Sequence, residues 1–558
     1  MSSMKTKSSL IILTFCALAS SAWAEVKPNA LFSDNAVLQQ NANVPVWGTA
    51  KEGEKVTVTF DGETETTVAK DGKWMIHLKP HKAGGPYTMK IAGENTITVN
   101  NVLVGEVWIC SGQSNMAFKF PGATTAKTES PIANYPKLRM FNVGHKLALN
   151  PLADASGKWI ECSPSAVKDF SAVGYFFGRD IHKATGVPVG MINSSVGGTG
   201  AQLWTSQSGL EKESSLHGYV EEISSAKAKC DPATAAKYTQ DMADYEQKLK
   251  AWTETSGKEF GQAIVAWNAE CQKNKAAGTP PPPRPQPAVP KPRPPGDPVG
   301  KKPTALFNGM IAPLIPYAIK GVIWYQGESN NGKPFEYRTL FPRLIADWRE
   351  KWGERDPSTI SGQAFPFLFV QIAPYKDDVP ELREAQFLTW KKTPNTAMAV
   401  IIDVGDANNI HPRQKEPVGQ RLALAARALA YGEKMEYSGP EYDSMRINQN
   451  KAVLCFKHIG GGLVAKDGPL KGFLIAGANK KFVDAKVEIQ GNTVVVSSDQ
   501  VSAPVAVRYG WANIPDGNLW NKEGLPASTF RTDPESLTQD TVAPRKPGPA
   551  AAKSETSN

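Results

Sequence analysis

Val102-Leu103-Val104-Gly105-Glu106-Val107-Trp108-Ile109-Cys110 runs into Ser111-Gly112-Gln113-Ser114-Asn115-Met116. A mostly apolar run that ends in a glycine-containing turn reads as a strand buried on both faces, handing over to a helix. Similar runs follow. Ala172–Thr185 has helical spacing and Gly186 stops it, and Val187–Ile192 is a buried strand. Val322–Tyr325, Phe367–Ile372 and Ala397–Asp403 are further apolar strands, and Arg421–Ala430 is a helix closed by Gly432. Apolar strands alternating with helices predict a parallel sheet covered on both faces, an α/β core.

Outward from that core the pattern changes. Residues 25–105 alternate, as in Val56-Thr57-Val58-Thr59-Phe60 and Trp74-Met75-Ile76-His77-Leu78, with Asp61-Gly62 as a turn. They predict an N-terminal β-sandwich module. Residues 433–533 return to alternation, at Lys451–Lys457, Val487–Gln490, Val494–Ser497 and Val505–Tyr509, and predict a C-terminal β module. The core is expected over 106–205 and 301–432. Between its halves, 206–300 is an insertion: Ala235–Asn274 is polar with helical spacing, and Pro280–Pro298 reads as an extended strut that closes it. Residues 534–558 read as a disordered tail.

At 558 residues, with 47 Gly and 43 Pro, the chain is long enough for several domains and is not a disulfide-stapled miniprotein. Met1–Ala24 has the three parts of an export signal: Lys5 and Lys7, the apolar run Leu10–Leu18, and Ala22-Trp23-Ala24 for cleavage after Ala24. A secreted or periplasmic protein is expected. Removal of the two lysines takes the net charge from +9 to +7, and no Lys/Arg block of nucleic-acid type is present. No stretch has the length of a membrane span. Cys110, Cys162, Cys230, Cys271 and Cys455 remain after the leader; the number is odd, no CxxC occurs, and one or two bridges are possible. No His/Cys/carboxylate cluster has metal-ligand spacing, so neither metal nor cofactor is expected.

Four strand ends carry chemistry. Ser114 stands where a strand meets a helix, as a nucleophile or as an N-cap. Asn193-Ser194-Ser195-Val196-Gly197-Gly198-Thr199-Gly200 leaves backbone N–H groups unhindered, as an oxyanion site needs. Trp324-Tyr325-Gln326-Gly327-Glu328-Ser329-Asn330 offers amides and a carboxylate. Asp403-Val404-Gly405-Asp406-Ala407-Asn408-Asn409-Ile410-His411-Pro412 contains one of only seven histidines and lies between a strand and a helix. His411 therefore faces the same sheet edge as Ser114, with a side chain suited to general base work. Together the loops predict one crevice. Asn115, Glu328 and Asn330 are the candidate substrate contacts; Trp204 and Trp324 are either sugar-facing or core.

Gly-Gln-Ser-Asn-Met, Gly-Gly-Thr, Trp-Tyr-Gln-Gly-Glu-Ser-Asn and Ile-His-Pro, in this order, resemble the sialate O-acetylesterase family of SGNH hydrolases. Leu31–Gln39, Val44–Gly48, Phe307–Leu314 and Asn521–Ala527 extend the resemblance over most of 27–533. It implies an SGNH-type core, Ser114 as nucleophile and His411 as its base. It also implies oxyanion donors from the Ser114 N–H, the Gly197-Gly198 loop and the Gln326 amide. The wider superfamily places an aspartate three residues before the histidine, where this chain has Asn408. Asp406, then Asp403, are the alternatives, and a Ser–His dyad is equally open. The implied activity is removal of O-acetyl groups from carbohydrates, sialates first and plant or algal polysaccharides second, with water as co-substrate. A non-catalytic carbohydrate-binding protein, or a lipase or thioesterase with a long acyl groove, are the competing classes.

Overall fold

The computed structural model describes residues 25–297, 299–353 and 364–533. The leader at 1–24 and the tail at 534–558 lie outside the described residues.

The central sheet contains the strands Tyr135–Asn142, Val189–Ser195, Thr96–Gly112, Gly321–Tyr325, Phe367–Val370 and Thr396–Ala399 as successive neighbours, all parallel, with Trp159–Cys162 antiparallel at one edge. Its two faces are visible in the burial pattern. Val322 and Trp324 join one core cluster, while Ile323 and Tyr325 join another; Val107 and Ile109 divide from Trp108 and Cys110 in the same way. Successive side chains of a strand point to opposite faces, so an unbroken apolar run is what a sheet covered on both sides requires. Trp204 and Trp324 are fully buried and belong to this core.

The helices end where the residues say they should. Ser171 Oγ accepts from Gly174 N at 3.0 Å to open Ala172–Thr185, and Gly186 closes it in the left-handed region at φ 72°. Glu416–Tyr431 is one turn longer at its start than the apolar spacing predicts, and Gly432 ends it at φ 70°. The strand expected over Ala397–Asp403 stops at Ala399, and 400–403 already form the loop toward His411.

Residue 105, the expected end of the N-terminal module, lies inside a strand. Thr96–Gly112 is one 17-residue strand that pairs with Gly84–Ala92 in the module and with Val189–Ser195 and Gly321–Tyr325 in the core. One sheet therefore runs through both. A second small sheet of Lys27–Pro28, Val44–Thr49 and Lys73–Leu78 shares its core cluster. The C-terminal module has its own apolar cluster and joins the core through Arg531, which donates to Glu384 at 2.6 and 2.8 Å, and through Gln371 Nε2 to Ser528 Oγ at 2.8 Å.

The insertion is helical, as expected, but divided: Pro232–Glu254 and Ser256–Ala277 break at Thr255. The proline strut is tied to these helices. Trp252 Nε1 donates to Val289 O at 2.7 Å and Trp267 Nε1 to Pro282 O at 2.8 Å. Among the described residues the five cysteines are free thiols, and no bridge joins them. Among the described residues no helix is long and apolar enough to cross a membrane.

Candidate active site

Gly112 ends the central strand at φ 133°, a conformation that suits glycine, and a Cβ there would run into the Tyr325 carbonyl. Gln113 N donates to Tyr325 O at 2.9 Å, and Val196 N to Gly112 O at 3.1 Å. Three strand ends are thereby sewn together at one edge. Ser114 opens the single helical turn Ser114–Ala117. It is not the N-cap; Gln113 holds that position, without a side-chain cap bond.

Gly197 lies against the serine: a Cβ on it would sit 3.4 Å from Ser114 Cβ. Among the described residues the N–H groups of Ser114, Gly197 and Gly198 donate to no protein acceptor. Lys301 Nζ meanwhile donates to the carbonyls of Gly197 at 3.2 Å and Gly198 at 3.1 Å. The first residue after the insertion thus grips the glycine loop from outside. Lys301 also lies beside His145, whose pKa falls through burial and then through that charge.

The His411 loop is joined to the serine turn by a side chain next to each. Asn115 Nδ2 donates to Ile410 O at 3.0 Å and to Glu328 Oε1 at 2.6 Å, and its Oδ1 accepts from Lys415 Nζ at 2.5 Å. The loop is pinned on its other side by Arg413 Nε to Gly122 O at 2.8 Å. His411 is half-buried, and its pKa is lowered by burial and then by Lys415. A neutral imidazole able to accept a proton is the consequence.

Neither candidate aspartate contacts the His411 ring. Both oxygens of Asp403 are held by Arg421, at 2.6 and 2.7 Å. Asp406 is exposed and accepts from Asn408 N at 2.9 Å in a local turn. Among the described residues no hydrogen bond or ion pair joins a carboxylate to His411.

The amides expected to face a ligand face the protein. Gln326 is fully buried; its Nε2 donates to Asn330 Oδ1 at 2.7 Å, with Gln113 Oε1 and Thr199 O each at 3.3 Å, and its Oε1 accepts from Tyr337 OH at 2.9 Å. Both amide hydrogens of Gln326 are thus engaged within the protein, shared among three acceptors. Asn115 and Asn330 are likewise buried and bonded within the protein rather than open to substrate. Glu328 turns its carboxylate inward: Oε1 meets Asn115, and Oε2 is enclosed without a partner. Its pKa is raised, through burial.

Sequence reasoning missed Lys415, Lys301 and Asp378. Lys415 had a legible sign. It is the residue immediately before the helix Glu416–Tyr431, where the helix dipole disfavours a cation.

Residues 104–264 match the carbohydrate esterase, sialic acid-specific acetylesterase family. The chain is 31% identical to the sialate O-acetylesterase of Rattus norvegicus over 456 residues, covering 74% of this chain and 75% of the relative. It is 29% identical to the sialate O-acetylesterase of Homo sapiens over 527 residues, 87% of each. The crystal structure of a carbohydrate acetylesterase from Xanthomonas citri superposes with a TM-score of 0.72 at 34% identity, covering 91% of this chain and 99% of that one. With identity of this extent along the chain, and a serine, a histidine loop and free backbone donors gathered at one sheet edge, the protein is a carboxylic ester hydrolase belonging to the sialate O-acetylesterase family.

Proposed function

We propose that the protein removes O-acetyl groups from carbohydrates through an acetyl-serine intermediate on Ser114, with His411 as the base. The observation that carries this is the Asn115–Ile410 hydrogen bond, which ties the residue after Ser114 to the residue before His411 across 295 positions. The parallel sheet, with its loops gathered at one edge, supports an SGNH-type core.

His411 takes the Ser114 proton as Oγ bonds to the acetyl carbon. The oxyanion is received by the N–H groups of Ser114 and the Gly197-Gly198 loop, which have no other partner, and such a donor is worth about 3–4 kcal/mol. The carbon–oxygen bond to the sugar breaks and the imidazolium returns the proton to the leaving hydroxyl. Water, deprotonated by the same imidazole, then releases acetate and restores the serine. The mechanism runs as a dyad, because Asp403 and Asp406 serve Arg421 and the local turn.

Sialate O-acetylesters are the first candidate substrates, on the names of the mammalian relatives; acetylated plant or algal polysaccharides are the second. Acetate release from a panel of both, beside Ser114→Ala, tests the reading. Ser114→Ala is expected to fold and to be inactive. Preference for long acyl chains over acetyl, or turnover by Ser114→Ala, overturns it. Export with cleavage after Ala24 is part of the proposal, and N-terminal sequencing of the protein recovered outside the cytoplasm checks it.

A further inference from the structure

We propose that Lys415 and Glu328, joined through the amide of Asn115, are positioning residues for this reaction: as one buried chain they hold the main chain of His411 against the Ser114 turn. The proposal rests on Ser114 and His411 being nucleophile and base.

The amide of Asn115 has one orientation that satisfies its neighbours. Its oxygen takes the Lys415 ammonium, which leaves both N–H groups for Glu328 Oε1 and Ile410 O. The flipped amide would set a donor against the ammonium. Lys415 therefore fixes the rotation of Asn115, and Asn115 fixes the carbonyl that immediately precedes His411. Lys415 itself is fully enclosed, its Nζ 4.9 Å from the Phe118 ring centre and 5.3 Å from that of Tyr325.

Stability alone does not account for this chain. An enclosed ammonium and an enclosed carboxylate each cost several kcal/mol of desolvation, and an apolar side chain of similar volume commonly does as well or better. The carboxylate is also incompletely used, since Glu328 Oε2 has no partner. A device kept at such cost beside a reacting imidazole has its use in the reaction.

The chain also sets the charge felt by His411. Lys415 faces it from the start of the following helix and holds its pKa down, second to burial. On its own loop, Asp403 is neutralised by Arg421, Asp406 is exposed, and Arg413 binds Gly122 O. Behind Lys415 stands Glu328, and behind Glu328 stands Asp378, pushed up to about 7 by burial and by Glu328. Lys415 is brought down to about 7 by burial, against which the Glu328 carboxylate supports its charge.

The experiment is the pH profile of kcat/KM on 4-nitrophenyl acetate for the wild type, Lys415→Met, Glu328→Gln and the double variant, with Ser114→Ala alongside. Methionine keeps the length of the stem without the charge. A base positioned about 1 Å away from its optimum loses on the order of 10²-fold, so Lys415→Met is expected to lose 10- to 100-fold in kcat with KM little changed. Without the cation, His411 binds its proton more readily, and the acidic limb moves to higher pH. Glu328→Gln keeps the acceptor for Asn115 but withdraws support from the ammonium, so its limb moves the same way. The double variant is expected to move no further than Lys415→Met. An acidic limb unmoved in both single variants, with losses that follow the melting temperature, overturns the proposal and leaves Lys415 a packing residue. Glu328→Gln keeps the test decisive if Lys415→Met does not fold. Wild-type turnover by Ser114→Ala would instead overturn the reading of the reaction itself, whatever the limbs do.

Discussion

Replacing Gly197 with alanine adds one methyl group to the wall of the crevice and little else. The backbone of Gly197 lies outside the left-handed region, so alanine is admitted without strain. The new Cβ would meet Ser114 Cβ at 3.4 Å and Ser114 Cα at 3.7 Å, with nothing else within 4 Å. That is ordinary contact, and no neighbour must move. The fold is therefore expected to change by less than about 0.5 kcal/mol, or under about 2 °C in melting temperature. Function is different. The acetyl carbon must come within about 3–3.5 Å of Ser114 Oγ, and the carbonyl oxygen must reach the glycine N–H groups. A methyl lying on the serine pushes the ester outward by roughly 1 Å, which costs about 10²-fold, or roughly 2.7 kcal/mol of transition-state stabilisation. The assay is acetate release with the melting curve recorded on the same preparation. Gly218→Ala, where a methyl meets nothing within 4 Å, is the control. Wild-type kcat/KM in Gly197→Ala would refute the placement of the reacting carbonyl beside this loop. A fall in melting temperature beyond 5 °C would show that the loss came from packing.

Asp403→Asn gives up one of two oxygens held by Arg421 and is expected to lower stability by about 1–3 kcal/mol with kcat within about threefold; an unchanged melting curve with turnover abolished would return Asp403 to the reaction. Asp406→Ala removes a local turn bond and is expected to keep activity within about tenfold, whereas a loss near 10⁴-fold, the size seen when a triad carboxylate is neutralised, would make it the partner of His411. Lys301→Met releases the carbonyls of Gly197 and Gly198 and is expected to lower kcat/KM by about tenfold without moving the melting temperature. Asp378→Asn tests a buried carboxyl by pH. The unfolded chain releases this proton near pH 4 and the folded chain near 7, so the folded state binds more protons between those values and loses stability as pH rises through them. Asparagine mimics the protonated form, so the variant is expected to melt higher than wild type at pH 8 and no higher at pH 4, by scanning fluorimetry across that range.

The positions of the candidate-site loops were legible in the residues because each follows a strand apolar enough to be identified by composition alone. Ser114, Gly197, Gln326 and His411 were placed at one edge by that argument, and the geometry gathers their loops there. The direction in which each side chain points was not legible. Gln326 and Asn330 sit at a strand end where an amide can turn toward the crevice or toward the interior. The acceptors and donors that draw them inward come from Gln113, Thr199 and Ala201, remote in sequence, and from Tyr337 on the following helix. The expected module boundary falls inside a strand for a local reason. Asn100-Asn101 interrupts the apolar pattern and Asn101 has φ 58°, the mark of a turn, yet pairing resumes at once and the strand continues into the core.

The continuous strand and the inward-turned amides both bear on how the candidate site is held together. A strand that runs without a break from the N-terminal module to Gly112 delivers the serine turn from a rigid support, and its neighbours on both sides deliver the glycine loop and Gln326. The histidine has no such support. Its strand ends at Ala399, and the twelve positions to His411 are loop. Something other than the sheet must hold it. Arg421 on Asp403, Asp406 on Asn408, and Arg413 on Gly122 fix the loop at three points, and Asn115 fixes it at the point that faces the serine. The polar residues that looked free for a ligand are therefore spent on holding the His411 loop against the Ser114 turn.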